Sequence, residues 1–171
     1  LIKKASTAGL NLIERISTAH LIDEGMLNPK FKKVEVCDVV ERNISLFLPQ
    51  ANKKEIEIVY GGNRGYTFGT DEGFLENILQ NLLSNAIKFS PPKTKVFLSC
   101  VKKSWGLEFK LRDEGPGFSA SDREELFKKF QRLSAMPTAG ENSSGVGLAI
   151  AKSLTERLGG SLQLNEDYEE G

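Results

Sequence analysis

Asn81, Asn85 and Lys88 stand at i, i+4 and i+7 in the run Asn81-Leu-Leu-Ser-Asn85-Ala-Ile-Lys88-Phe89-Ser90-Pro91. That spacing puts all three on one stripe of a helix. Leu79, Leu82, Leu83 and Ala86 fall towards the other side and can anchor the helix in a core. A carboxamide oxygen is a neutral hard ligand, suited to Mg²⁺ that arrives wrapped in substrate phosphate oxygens and water. A carboxylate in the same place would repel the phosphates. Taken alone, the pattern more often describes an Asn that caps a helix or satisfies a neighbour, so the rest of the chain has to decide.

Leu107-Glu-Phe109-Lys-Leu111 alternates as a half-buried strand and runs into Asp113-Glu114-Gly115-Pro116-Gly117-Phe118. A carboxylate at a strand end accepts hydrogen bonds and can read the exocyclic amino group of adenine. Gly115 and Gly117 let backbone approach a flat base. An ordinary Asp-Glu-Gly-Pro-Gly turn has the same composition. Glu141-Asn-Ser-Ser144-Gly145-Val146-Gly147-Leu148 then opens into an apolar-periodic helix. Glycines ahead of a helix N-terminus make a phosphate cradle, because free N–H groups and the positive end of the dipole both favour an anion. No strand precedes these glycines and no βαβ unit surrounds them, so the dinucleotide fingerprint is rejected. Between the two segments, Phe127 and Phe130 are spaced as core aromatics, and Arg132 leads into a polar loop from which it can reach a terminal phosphate.

Taken in chain order, the four segments resemble the N, G1, F and G2 boxes of the sensor histidine kinases, in the superfamily that also holds DNA gyrase and a heat-shock chaperone. Each box is weak alone; four in the family's order are specific. The resemblance implies an ATP site in which Asn85 holds Mg²⁺, Asn81 supports it and Lys88 contacts phosphate. It further implies that Phe89 flanks the nucleotide, Asp113 binds adenine beside Gly115 and Gly117, and Arg132 approaches the γ-phosphate. The backbone of Ser144, Gly145, Val146, Gly147 and Leu148 would hold the phosphates, and Leu133 to Ser144 would form a lid.

Hydrolytic members of the superfamily carry a Glu four residues before the metal-binding Asn, as general base for water. Here that position is Asn81, so the resemblance implies transfer of the γ-phosphoryl group to a histidine instead, with Lys88, Arg132 and Mg²⁺ stabilising the moving charge. A serine kinase or ATPase of the same superfamily, and a degenerate partner-binding module, are the alternatives. His20, the one histidine, is followed by Leu21-Ile22-Asp23-Glu24-Gly25. It lacks the family's His-Glu/Asp-x-x-x-Pro continuation and resembles the end of the second helix of the dimerisation hairpin. Residues 1–27 are therefore expected to be part of that hairpin and 28–171 the catalytic ATP-binding domain, in a piece of a longer protein. The acceptor histidine is expected upstream, and a response regulator and a homodimeric arrangement follow from the resemblance.

The 23 basic and 23 acidic side chains cancel, which removes any electrostatic footprint for nucleic acid or an anionic membrane. Cys37 and Cys100 are too few for a disulfide framework and too far apart for a metal motif, so a cytoplasmic setting is expected. No apolar run approaches the roughly 20 residues that cross a bilayer.

The scaffold that must position these residues reads as α/β, a two-layer arrangement in which a mixed sheet is covered on one face by three helices and preceded by a long N-terminal helix. Ile2, Gly9, Leu12, Ile13, Ile16 and Ala19 stripe that first helix, which Gly25 ends. A strand is expected over Phe31–Val36, a helix capped by Asp38 and reaching about Asn52, strands over Glu55–Tyr60 and Tyr66–Gly69, and the Asn-bearing helix from Asp71. Strands over Thr94–Val101 and Leu107–Asp113, a helix from Gly147 to about Leu158, and a strand over Ser161–Leu164 complete it. The tail from Glu166 to Glu170 reads as solvated.

Overall fold

The computed structural model describes residues 17, 20, 21, 24–62, 65, 67–129, 131, 133–139 and 145–165. Residues 17, 20 and 21 are helical, and the expected N-terminal helix is otherwise outside the described residues. Its end is legible: Glu24 N–H donates to His20 O, Met26 N–H donates to Leu21 O, and Gly25 takes φ +70°. This is a glycine-terminated helix, in which a left-handed residue turns the chain back over the last carbonyls. The acidic tail lies outside the described residues.

Strand β1 (Lys32–Glu35) leads directly into helix α1 (Val36–Lys53), followed by β2 (Glu57–Gly62), β3 (Thr67–Thr70) and α2 (Glu72–Phe89). Then come β4 (Lys95–Lys103), β5 (Gly106–Asp113), the short α3 (Ala120–Glu125) and α4 (Gly147–Arg157). β2, β4 and β5 form the expected mixed sheet, with β2 parallel and β5 antiparallel to the central β4; β1 and β3 pair as a separate antiparallel ribbon. Val96, Leu98 and Cys100 alternate inward from β4 and join Val36, Val39 and Val40 of α1 and Leu75, Leu79, Leu83 and Ile87 of α2 in one core. On the opposite face, Phe97 and its cross-strand partner Arg112 meet ring to guanidinium at 5.3 Å. The helices thus form one layer over one face, as period-2 alternation requires.

Helix α2 buries two sides. A second cluster joins its Ile78 to Val146, Ile150, Ala151 and Leu154, with Leu27, Phe74, Leu82, Leu158 and Leu162 packed around them. α4 therefore packs alongside α2 and reaches the layer through it. Asp71 caps α2 as expected, its Oδ1 accepting from Phe74 N–H at 2.9 Å.

Two local expectations are corrected. Asp38 does not cap α1: the helix starts at Val36 with Glu35 as its uncapped N-cap, and Asp38 sits exposed in the first turn. Burial of Val36 and Cys37 draws the helix start back to the strand, and Asp38 contributes its charge to the positive end of the dipole instead. Ser161–Leu164 forms no strand among the described residues. A strand needs a ladder partner, and here Leu162 packs on the second core cluster instead.

Candidate functional site

The end of α2, the end of β5 and the start of α4 converge on one cleft. Its lining includes Asn85, Lys88, Phe89, Asp113, Gly117, Gly145, Gly147 and Leu148. The cleft holds about 1480 Å³ because it continues past Asp113 along β5 to Ser161–Asn165, which makes it larger than most small-molecule pockets.

The two carboxamides differ in what they can offer. Asn81 is buried, and its Nδ2 donates to Asn77 O at 2.9 Å; it does not line the cleft. Asn85, one turn later, lines the cleft and has no hydrogen-bond partner among the described residues. The stripe read from the sequence is therefore split: Asn85 and Lys88 face the cavity, while Asn81 is held in the helix layer. Lys88 Nζ lies 5.9 Å from the Phe89 ring centroid, so the cation and the aromatic sit together at the helix end. No cluster of acidic or other metal-ligating side chains occurs among the described residues. A lone carboxamide oxygen fits a Mg²⁺ that brings its own phosphate and water ligands, not an all-protein cage.

Asp113 closes β5 opposite Val96, whose side chain is fully buried. Burial pushes the Asp113 carboxyl above its ordinary pKa, and the hydrogen bond from Gly115 N–H to Oδ1, at 2.8 Å, partly offsets this. A desolvated carboxylate of this kind gains most from a ligand that donates to it. Gly115 is required by space: a Cβ there would stand 2.6 Å from Asp113 Oδ1 and 3.5 Å from the Phe89 carbonyl. The glycine thereby brings the end of β5 against the end of α2. Gly117 takes φ +68° and lines the cleft.

No side chain caps the N-terminus of helix α4 among the described residues. Its N-cap, Val146, makes no side-chain cap bond and is fully buried, whereas α2 and α3 are capped by Asp71 and Ser119. Among the described residues no side chain takes the first N–H groups of α4, at Gly147 and Leu148, and such groups favour an anion. Gly145 precedes them at φ +67°, and a Cβ there would be 2.5 Å from Gln131 O. That close approach joins the two bases of the intervening loop. Arg132, Phe130 and Ser144 lie outside the described residues. Phe127 is half-buried beneath Lys152, whose Nζ is 4.8 Å from the ring centroid.

Several contributors escaped the sequence reading. Asp122 is buried and accepts from Ser119 N–H (3.0 Å) and Ser119 Oγ (2.7 Å), and, across the fold, from Ser134 N–H (2.7 Å) and Ser134 Oγ. These hydrogen bonds, led by the Ser134 hydroxyl, hold its carboxyl well below the usual range. Ser119-Ala-Ser-Asp122 fits the capping-box spacing and was legible as a helix start; its grip on Ser134 was not. Gln131, Met136 and Pro137 also line the cleft, with no periodic signal to mark them.

Residues 70–171 match the family described as histidine kinase-, DNA gyrase B-, and HSP90-like ATPase. The chain is 32% identical over 142 residues to the swarming motility regulation sensor protein RssA of Serratia marcescens, covering 82% of this chain and 30% of that protein. It is 32% identical over 136 residues to the sensor-like histidine kinase SenX3 of Mycolicibacterium smegmatis, covering 80% and 35%. Among solved structures, full-length ShkA in complex with AMPPNP superposes with a TM-score of 0.79 at 25% identity, covering 91% of this chain and 32% of that one. The chain spans about a third of the length of these relatives.

Proposed function

The chain belongs to the histidine kinase-, DNA gyrase B-, and HSP90-like ATPase family, and on that premise we propose that it is the ATP-binding catalytic region of a sensor histidine kinase. The observation that carries this is the convergence of Asn85, Lys88, Asp113 and the uncapped start of α4 on one cleft. In this reading Asp113 accepts from the adenine amino group, Gly115 and Gly117 admit the base, and Phe89 flanks it. The N–H groups from Gly145 to Leu148 and the Lys88 ammonium hold the phosphates, and Arg132 meets the γ-phosphate. Asn85 Oδ1 holds Mg²⁺, which when bound neutralises phosphate charge.

The acceptor is an imidazole nitrogen of a histidine on a helical hairpin, of which residues 1–27 form the end; residues 28–171 are the catalytic domain. The nitrogen attacks the γ-phosphorus, the bond to the β,γ-bridging oxygen breaks, and ADP leaves with that electron pair. Water is a poor competitor because Asn81, at the place of the hydrolytic base, is a buried amide committed to Asn77 O. The hairpin of the same or a partner subunit and a response regulator are the protein partners, in a cytoplasmic setting consistent with two buried free thiols. No helix among the described residues is long and apolar enough to cross a membrane.

The reading is tested by calorimetric titration of the chain with ATP, with and without Mg²⁺, followed by incubation with a separately made hairpin carrying the acceptor histidine. Mg²⁺-dependent binding and transfer are expected, and Asn85→Ala should abolish transfer with the fold retained. Binding without transfer would favour the ATPase or serine-kinase reading, and absence of binding would leave a partner-binding module.

A further inference from the structure

Helix α2 ends at a serine followed by a proline. Ser90 is its C-cap, in extended conformation, and the next residue is Pro91, which has no N–H to fold back over the last carbonyls. Ser90 N–H and Oγ both turn to Ala86 O, at 3.0 and 2.6 Å. The carbonyls of Ile87 and Lys88 are served from outside the helix. The Lys54 ammonium, at the end of α1, donates to Ile87 O at 2.5 Å and Lys88 O at 3.0 Å. Lys54 is only 7% exposed, and its charge opposes the negative end of the α2 dipole.

The second donor comes from the loop between α3 and α4. Thr138 N–H donates to Lys88 O at 3.1 Å, and Thr138 Oγ1 lies 2.8 Å from Ser90 O and 3.2 Å from Lys88 O. Its single proton serves one of these carbonyls at a time, and the shorter contact is to Ser90. The other end of this strap is held where Asp122 accepts from Ser134. Between the two anchors Ala135, Met136 and Pro137 line the cleft. The Lys88 carbonyl is thus gripped by α1 on one side and by the strap on the other, and its own side chain faces the cavity.

We propose that Thr138 is a positioning residue that latches this strap onto the end of α2, so that docking of the strap and the setting of Lys88 and Phe89 are coupled through the Lys88 and Ser90 carbonyls. Lys54 is the fixed half of the same clamp. The proposal rests on the nucleotide reading of the cleft, which it deepens: a docked strap preorganises the site for the nucleotide.

The test compares wild type, Thr138→Val and Thr138→Ser by amide hydrogen exchange without nucleotide and by titration with a non-hydrolysable ATP analogue and Mg²⁺. In Thr138→Val, exchange over residues 133–139 should quicken and the analogue should bind more weakly, each by roughly threefold to tenfold, the range set by one net hydrogen bond. Exchange in β4 and in α2 ahead of Asn85 should stay unchanged, and Thr138→Ser should restore both readouts. Wild-type behaviour of Thr138→Val, or a serine variant as impaired as the valine, would overturn the latch. If wild type takes no nucleotide, the proposed function fails and the coupling with it, whereas the exchange data still decide whether Thr138 docks the strap.

Discussion

The wall of the cleft built from α2 and the end of β5 is fixed from behind by Leu83, Ile87 and Val96, which are almost wholly removed from solvent. The described part of the strap opposite, Leu133–Ala139, is anchored by polar contacts: Asp122 to Ser134 and Thr138 to the end of α2. Apolar burial is non-directional and cooperative. Side-chain to backbone hydrogen bonds are individually modest and exchangeable with water. The residues proposed to recognise the nucleotide therefore sit on the part that cannot shift without disturbing the core, and the part that can be released is tied by bonds that water can replace.

The two carboxylates of these regions carry the same contrast in opposite signs. Burial holds the Asp113 carboxyl above its ordinary value, a cost that a donating ligand would relieve. Ser134 and Ser119 hold the Asp122 carboxyl below its ordinary value, as befits a group already satisfied within the fold. In the proposed site the first awaits a ligand, and the second secures the strap.

The strongest way to break the wall is Leu83→Ala, at a fully buried position. It should cost about 2–5 kcal/mol, read as a lower midpoint in denaturant unfolding; a midpoint near wild type would mean that the wall is not set by the core. Gly145→Ala attacks the loop base, where φ is +67° and Gln131 O leaves no room for a Cβ. The backbone conformation alone should cost about 1–2 kcal/mol, with faster proteolysis of the loop and weaker nucleotide binding. Retained affinity and protease resistance would remove the Gln131–Gly145 contact from the site.

Acidity sharpens the comparison further. The raised Asp113 pKa means that its stability cost is absent below the ordinary carboxylate value of 3.8 and grows as pH rises through the folded value. Asp113→Asn should thus melt higher than wild type at neutral pH without nucleotide, lose that advantage below pH 3.8, and weaken ATP binding with its preference over GTP. Equal melting at both pH values would contradict the buried-carboxylate account. Asp122 runs the other way: its contribution is complete above the ordinary range and is lost as pH falls through its depressed folded value, so acid should release the strap.

The smallest expected effect lies behind the site. Glu55 follows the Lys54 cap of α1 at φ +55°, with Ile56 N–H donating back to Ala51 O at 2.9 Å. This is the left-handed position that glycine fills most readily. Glu55→Gly should stabilise the fold by roughly 0.5–1 kcal/mol, measured by thermal melting, while nucleotide affinity stays as it was.

The amino-acid order alone determined what depends on nearest neighbours along the chain. Period-2 alternation marked β4 and β5, Asp71 marked the start of α2, and Gly25 marked the end of the first helix, because each signal lies within one turn or one strand of what it controls. Residue types at fixed offsets likewise pointed to Asn85, Lys88, Asp113 and the glycines of the cleft. Only the tertiary structure separated Asn81 from Asn85, since the second apolar face of α2, which ends at Phe89, is created by α4, which starts only at Gly147. It alone brought Asp122 to Ser134 and Lys54 and Thr138 to a single carbonyl. Those contacts join residues far apart in sequence through backbone atoms that every residue carries, and a backbone carbonyl leaves no mark in the sequence to show which distant side chain will claim it.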